Sequence, residues 1–196
     1  MPMKHLGRKI YHLLGGVSLL SLYFIFSRNT TFALYGMLFV IVLTIEIIRL
    51  NFSTLNNYLY SRLNGVIRSN EEKKMSGTAP YILGVGLSLY VYSTPVAAAA
   101  ICFLAFGDVA ATTIGERYGK TKIGGKSLEG TAAFIVASIV VGFLFPVAGL
   151  KLASWVMILG ALAAACIELL PISLNDNLMI PILSGAVMEL ASTWAR

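Results

Sequence analysis

Charged residues are scarce in this chain, and their scarcity excludes an ordinary water-soluble domain. Only 12% of its 196 residues are Asp, Glu, Lys or Arg, whereas soluble domains carry about 25%. Apolar residues make up 57% of the chain, and the mean hydropathy is +0.79. The composition therefore indicates an integral membrane protein.

Cysteines are also few, and no cleavable leader is evident. Cys102 and Cys166 stand in apolar segments without metal or disulfide spacing, so we expect both to behave as small apolar side chains. The N-terminus is basic, but no small-residue cleavage site closes the first apolar stretch. We therefore expect that stretch to remain as the first helix.

Long stretches without formal charge recur along the chain. They comprise residues 10–27, 29–45, 50–61, 75–107, 130–150, 152–167 and 177–188. A spanning helix needs about 17–25 mostly apolar residues. Residues 50–61 are too polar to span, and residues 75–107 form two helices with a break at Ser93-Thr94-Pro95. We expect an all-α polytopic membrane bundle of about seven transmembrane helices, in a single domain over residues 1–196.

The distribution of positive charge predicts the orientation of this bundle. With a cytoplasmic N-terminus, twelve of the fifteen Lys and Arg residues fall in inner segments and three in outer ones. The positive-inside rule therefore predicts a multi-pass protein of the cell membrane or an endomembrane, with its N-terminus in the cytoplasm. The net charge of +6 then reflects this orientation and an anionic substrate, and no pattern indicates nucleic-acid binding.

Residues 51–74, between the second and third spanning helices, differ from the rest. Apolar side chains recur there at intervals of three and four, namely Phe52, Leu55, Leu59, Leu63 and Val66. This spacing predicts an amphipathic helix on the inner membrane surface. An interfacial connector and a ledge for lipid entry are both compatible with it.

The most informative segment, residues 106–131, reads FGDVAATTIGERYGKTKIGGKSLEGT. Asp108 lies near the end of an apolar stretch, and a Gly-rich cytoplasmic loop at residues 115–130 follows. The loop holds Gly115, Gly119, Gly124, Gly125 and Gly130, the cations Arg117, Lys120, Lys122 and Lys126, and Ser127 and Glu129. Glycines let backbone N–H groups approach an anion, lysines neutralise phosphate, and a carboxylate can hold a divalent metal. A turn that is basic only because it is cytoplasmic is the alternative.

The predicted topology gathers further polar residues at the inner face. They are Arg8, Lys9, His12, Glu46, Arg49, Asp108, Glu168, Asn175, Asp176 and Asn177. Ionisable groups within spans are costly and usually mark a site or a water-filled cavity. Individually, Glu46 and Arg49 can pair along one helix, and Asn175 or Asp176 can cap the last helix. Glu189, near the opposite face, is expected to be structural.

Four motifs in order along the chain carry a family resemblance. They are Arg8-Lys9-Ile-Tyr-His12; Met75-Ser-Gly77-Thr-Ala-Pro-Tyr81; Asp108-Val-Ala-Ala-Thr-Thr-Ile-Gly115-Glu-Arg-Tyr-Gly119-Lys120 with Lys126-Ser127-Leu-Glu129-Gly130-Thr131; and Asp176-Asn177-Leu-Met-Ile-Pro181. They resemble the motifs of the CTP-dependent lipid kinases, which comprise dolichol and other polyprenol kinases, phytol kinase and the CTP-dependent diacylglycerol kinase. Pro80 stands where a threonine is commoner.

Two other classes remain as alternatives. Phosphatidate cytidylyltransferases, which make CDP-diacylglycerol, share the long motif more loosely, but residues 126–130 are closer to the kinase form. The second alternative is a non-enzymatic transporter or lipid-binding membrane protein. Inverted repeats with paired broken helices would favour this class, and no convincing repeat is present in the sequence.

The resemblance implies transfer of the terminal phosphate of CTP, or of another nucleoside triphosphate, to the hydroxyl of a lipid alcohol. That alcohol is a polyprenol or dolichol, a phytol-type alcohol or diacylglycerol. Mg²⁺ would bind Asp108, with Glu129 or Asp176 completing its shell. Membrane lipids are the other partners, and a homodimer is one option for its assembly.

The resemblance also assigns roles to the inner-face residues. The nucleotide would be held by Gly115, Gly119, Lys120, Lys122, Gly124, Gly125, Lys126, Ser127, Glu129 and Gly130. His12 and Asn177 would orient the lipid hydroxyl, and Arg8 and Lys9 would position phosphate or acceptor. Asp108, or a water molecule on the metal, would accept the proton.

Overall fold

The computed structural model describes residues 6–62, 71–171 and 174–194. Over these ranges the chain is helical, except for its connecting turns and one two-stranded hairpin. The all-α class is therefore confirmed.

The elements follow one another in the order that the apolar stretches predict. They are α1 (Leu6–Ile25), α2 (Arg28–Asn51), α3 (Ser53–Arg62), α4 (Thr78–Val91), α5 (Thr94–Cys102), a π-helical turn (Phe103–Gly107), α6 (Asp108–Tyr118), β1 (Lys122–Ile123), β2 (Lys126–Ser127), α7 (Leu128–Gly142), a 3₁₀ turn (Phe145–Ala148), α8 (Ser154–Leu169) and α9 (Asp176–Trp194).

Three of the described helices are long and apolar enough to cross a membrane, which is fewer than the seven expected. They are residues Arg28–Asn51, Thr94–Tyr118 and Leu128–Ala148, the second of which joins α5, the π-helical turn and α6. Helices α4 and α8 are apolar but shorter. The count of seven therefore stays a prediction.

The break expected at Ser93-Thr94-Pro95 is confirmed. Helix α4 ends at Val91 and α5 begins at Thr94, with Pro95 in its first turn, where a missing N–H costs nothing. The Glu189 carboxylate accepts hydrogen bonds from the Ser93 amide (2.9 Å) and hydroxyl (2.7 Å). Glu189 thus ties α9 to the start of α5, in agreement with a structural role.

Helix α5 is the centre of the bundle. Its alanines Ala97, Ala98, Ala99 and Ala100 have no exposed surface, and α1, α4, α7, α8 and α9 all contact it. Small side chains allow helices to pack closely in a membrane, where lipid competes for apolar contacts. The packing therefore fixes α5, and with it the position of Asp108 at the start of α6.

Helix α3 forms the first part of the amphipathic segment expected at residues 51–74. It runs from Ser53 to Arg62, and none of its side chains is buried. Leu63 and Val66, two of the residues that define the expected apolar face, lie outside the described residues. The placement of α3 on the membrane surface stays a prediction.

The Gly-rich connection is shorter than the expected loop at residues 115–130. Helix α6 continues to Tyr118 and α7 begins at Leu128, so only residues 119–127 connect them. In between, β1 and β2 pair antiparallel across Gly124 and Gly125, whose φ values are +56° and +92°. A two-residue hairpin turn with both φ values positive favours glycine at both positions.

Candidate functional site

A cleft of about 570 Å³ lies between α6, the hairpin, the start of α7 and the ends of α8 and α9. We call it the Asp108 cleft; its lining comprises Asp108, Ala111, Thr112, Gly115, Glu116, Lys122, Gly124, Gly125, Lys126, Ser127, Gly130, Glu168 and Asp176. Residues of two of the four sequence motifs line the cleft, and His12 of a third motif contacts Asp108.

Asp108 lines the cleft and contacts His12, which lies outside the lining. The carboxylate Oδ2 lies 3.6 Å from His12 Nδ1, and the His12 side chain is only 3% exposed. Tyr81 donates a hydrogen bond to the His12 carbonyl (2.7 Å), and its ring packs on the imidazole with centroids 4.8 Å apart. Tyr81, for which no role was predicted, therefore fixes the orientation of His12. Its place at the end of the Met75–Tyr81 motif was the available signal.

Lys126 links the hairpin to the opposite wall of the cleft. Its Nζ lies 2.8 Å from Asp176 Oδ2 and 3.6 Å from Glu168 Oε1, and it also donates to the Glu168 carbonyl. Lys122 is exposed and lines the same cleft. Lys120 is exposed and lies outside the lining.

Ser127 and Glu129 stabilise the hairpin and the start of α7. Ser127 Oγ accepts a hydrogen bond from the Gly130 amide (3.0 Å), which caps α7. Glu129 Oε1 accepts one from the Thr121 amide (3.3 Å), and the residue lies outside the lining of the cleft. These contacts give both residues a structural role in addition to the predicted one.

The remaining glycines of the segment allow α6 and α7 to approach each other. A Cβ atom would lie 2.9 Å from Ser127 Oγ at Gly115 and 2.7 Å from Ser127 Cβ at Gly119. At Gly130 it would lie 2.7 Å from the Ala111 carbonyl oxygen. Such distances are too short for a side chain, so these three glycines close the base of the hairpin, while Gly124 and Gly125 form its turn.

Arg8 and Lys9 each pair with a carboxylate, and Glu116, the partner of Lys9, lines the cleft. Arg8 Nη1 lies 3.2 Å from Glu71 Oε1. Lys9, which is 7% exposed, places its Nζ 2.7 Å from Glu116 Oε2. Neither residue belongs to the lining.

Asn177 reaches away from its own helix. The side chain is buried, and its Nδ2 donates a hydrogen bond to the Gly77 carbonyl at 2.8 Å. Asn175 provides the cap of α9, since its Oδ1 accepts from the Asn177 amide (3.0 Å). At the start of α9, Asp176 therefore lines the cleft, while the side chain of Asn177 points elsewhere and contacts the residue that precedes α4.

The carboxylates of the cleft suit a magnesium ion that shares its shell with a nucleotide. Over the described residues, no three His, Cys, Asp or Glu side chains form a metal-binding group by themselves. Magnesium in phosphoryl-transfer sites usually uses one or two carboxylates together with substrate phosphates. Asp108 and Asp176 line one cleft and fit that partial set.

Comparison with known proteins identifies relatives over most of the chain. The chain is 28% identical over 168 residues to CTP-dependent diacylglycerol kinase 1 of Schizosaccharomyces pombe, covering 78% of the chain and 77% of that protein. It is 27% identical over 213 aligned positions to the Saccharomyces cerevisiae protein of the same name, covering 95% and 73%. The probable chloroplastic phytol kinase 1 of Oryza sativa subsp. japonica is 26% identical over 198 positions, covering 91% and 62%. No family model and no solved structure matches the chain.

Proposed function

We infer that the chain belongs to the CTP-dependent lipid kinase family, and we propose that it transfers the terminal phosphate of CTP to the hydroxyl of a membrane lipid alcohol. The relatives named for this activity, which align with most of the chain, carry the inference. The Asp108 cleft supports it, because it combines carboxylates, two lysines and a glycine turn.

The proposed topology places this cleft at the cytoplasmic face of a seven-helix bundle. The N-terminus would lie in the cytoplasm, and α3 would lie on the inner membrane surface. The excess of Lys and Arg in the inner segments supports this arrangement. CTP would then reach the cleft from the cytoplasm, while the lipid alcohol reaches it from the bilayer.

The hairpin would bind the triphosphate. Phosphoryl transfer depends mainly on charge neutralisation and in-line positioning of the reacting groups. Lys122 and Lys126 line the cleft beside the Gly124-Gly125 turn, whose backbone N–H groups can face an anion. Lys126 now pairs with Asp176 and Glu168, so binding of phosphate would require it to exchange at least one of these partners.

The carboxylates would hold the divalent ion that accompanies the nucleotide. Asp108 is the proposed ligand, and Asp176 is the second. When bound, Mg²⁺ would neutralise part of the negative charge of the triphosphate.

The acceptor hydroxyl would be oriented on the α1 side of Asp108. His12 contacts Asp108 and is fixed by Tyr81, so it can direct a hydroxyl proton toward the carboxylate. Asn177 and Arg8 approach each other near Gly77, where an added Cβ would be 3.7 Å from Arg8 Nη2. We assign them to the positioning of the acceptor headgroup.

A transfer assay on the purified protein tests the activity and the acceptor together. CTP labelled at the γ-phosphate is supplied with a panel of polyprenol, phytol, geranylgeraniol and diacylglycerol in detergent–lipid micelles, and with phosphatidate in a separate reaction. We expect a labelled lipid monophosphate and CDP. Formation of a CDP-lipid and pyrophosphate from phosphatidate would instead assign the chain to the cytidylyltransferases, and no product with any acceptor would contradict the kinase.

Neutralising the loop lysines should weaken nucleotide binding. We expect Lys122→Gln and Lys126→Gln each to raise the KM for CTP by about 10- to 100-fold, since a hydrogen bond to a charged group contributes about 1.5–3 kcal/mol. The KM for the lipid should change little, because its tail binds elsewhere. Steady-state kinetics at saturating concentrations of the other substrate separate the two.

Arg117→Gln is the matched control for the loss of one positive charge. Arg117 lies in the last turn of α6, stacks on Tyr118 and is outside the lining of the cleft. Equal KM values for CTP in all three variants would remove the lysines from the nucleotide site.

A further inference from the structure

Glu46 and Arg49 form a buried ion pair on α2. Arg49 Nη2 lies 2.8 Å from Glu46 Oε2, and Arg49 Nε donates to Glu46 Oε1 at 3.1 Å. The side chain of Arg49 is 2% exposed and that of Glu46 is 8% exposed. The pairing expected along one helix is therefore present, but it is only part of the contacts that these residues make.

The same pair binds the backbone of residues 71–76, just before α4. Arg49 donates to three carbonyl oxygens of this segment, those of Glu71 (3.2 Å), Glu72 (3.4 Å) and Lys74 (2.6 Å). Glu46 Oε2 accepts a hydrogen bond from the Ser76 amide at 2.8 Å. A guanidinium group can make this many bonds because it carries five N–H donors in a rigid plane.

This segment, together with Gly77, contacts Arg8 and Asn177, the two residues that we assign to positioning of the acceptor headgroup. The Glu71 carboxylate pairs with Arg8 at 3.2 Å. At the other end of the segment, the Gly77 carbonyl accepts the hydrogen bond from Asn177. A continuous set of contacts therefore runs from α2 through residues 71–77 to Arg8 and Asn177.

We propose that Glu46 and Arg49 are positioning residues for the lipid acceptor. They fix the course of residues 71–77, and this segment sets the places of Arg8 and Asn177. The proposal rests on the proposed function, which assigns Arg8 and Asn177 to the acceptor. Neither Glu46 nor Arg49 lines the Asp108 cleft, and the hairpin is held separately by α6 and α7, so their loss should act on the lipid and leave the nucleotide unaffected.

Two variants test the proposal. Arg49→Lys keeps the charge but loses the planar donors. The double variant Glu46→Leu/Arg49→Met removes both charges, which leaves no unpaired charge buried and protects folding. For both we expect kcat/KM for the lipid to fall by about 10- to 100-fold, as small misplacements of reacting groups do, with the KM for CTP unchanged. Glu189→Gln, which alters the contact of α9 with the start of α5, is the control. It should not lower kcat/KM for the lipid selectively relative to the KM for CTP.

Hydrogen exchange provides a readout that does not depend on activity. The Ser76 amide should exchange faster in both variants, whereas the amides of residues 119–127 should exchange as in the unaltered protein. Unchanged hydrogen exchange at the Ser76 amide would overturn the proposal. An effect of equal size on kcat/KM for the lipid and on the KM for CTP in the double variant would overturn it as well. An unaltered protein that transfers no phosphate would refute the proposed function instead, and the exchange result would still decide whether the pair fixes the segment.

Discussion

Asp108→Asn should abolish turnover while the protein still inserts and folds. Loss of one preorganised electrostatic group in an active site costs on the order of 10²–10³-fold in kcat, and we expect at least this loss because the proposed metal ligand disappears with the charge. Asparagine has nearly the same shape as aspartate, so the contacts of the π-helical turn should persist. Asp108→Ala should be inactive as well.

The measurement is single-turnover phosphate transfer with purified protein of confirmed monodispersity. Glu189→Gln neutralises another helix-borne carboxylate, one that binds Ser93 and lies outside the lining of the cleft, and should retain activity. Near-normal transfer by Asp108→Asn would refute the metal role.

Replacing His12 by phenylalanine should lower kcat strongly without affecting nucleotide binding. The new ring retains the contact with Tyr81 but has no nitrogen to face Asp108. Misplacement of a reacting group by about 1 Å costs on the order of 10²-fold, so we expect a loss of about this size in kcat and an unchanged KM for CTP.

Tyr81→Phe distinguishes chemistry from packing in this experiment. It removes the Tyr81 hydroxyl that donates to the His12 carbonyl. A hydrogen bond of this kind contributes about 0.5–1.5 kcal/mol, so the loss in kcat should be about tenfold or less. If His12→Phe and Tyr81→Phe reduce kcat equally, His12 acts through packing.

A structure with a bound nucleotide analogue and acceptor should also place the side chains of His12 and Asn177 no farther than one bridging water molecule from the ligand or the metal.

The positions that sequence predicted well are those that follow from the order and polarity of helices. The break at Pro95 follows from the chemistry of proline and precedes α5 as expected. Asp108 and Asp176 are far apart in sequence, but each begins a helix, and the predicted topology gathers both at one end of the bundle. The structure brings them into the lining of one cleft.

The roles that sequence did not predict depend on tertiary contacts. A lysine in a glycine-rich loop suggests a phosphate-binding site, but Lys126 forms ion pairs with the carboxylates of Glu168 in α8 and Asp176 in α9. Gly115, Gly119 and Gly130 look like phosphate-binding glycines, although each also removes a clash where α6, the hairpin and α7 meet. Arg8 and Lys9 likewise pair with Glu71 and Glu116, partners that spacing along the chain does not reveal.

The π-helical turn at Phe103–Gly107 lies directly before Asp108. Each residue turns an α-helix by about 100°, and a π-helical turn accommodates one residue more than the α-helix does. Deletion of a single residue within the turn would therefore convert it to regular α-helix, and Asp108 would keep nearly the same orientation toward His12. In a regular α-helix the same change in length would rotate the carboxylate by about 100°, so the turn makes the placement of Asp108 tolerant of a one-residue change in the length of the segment before it.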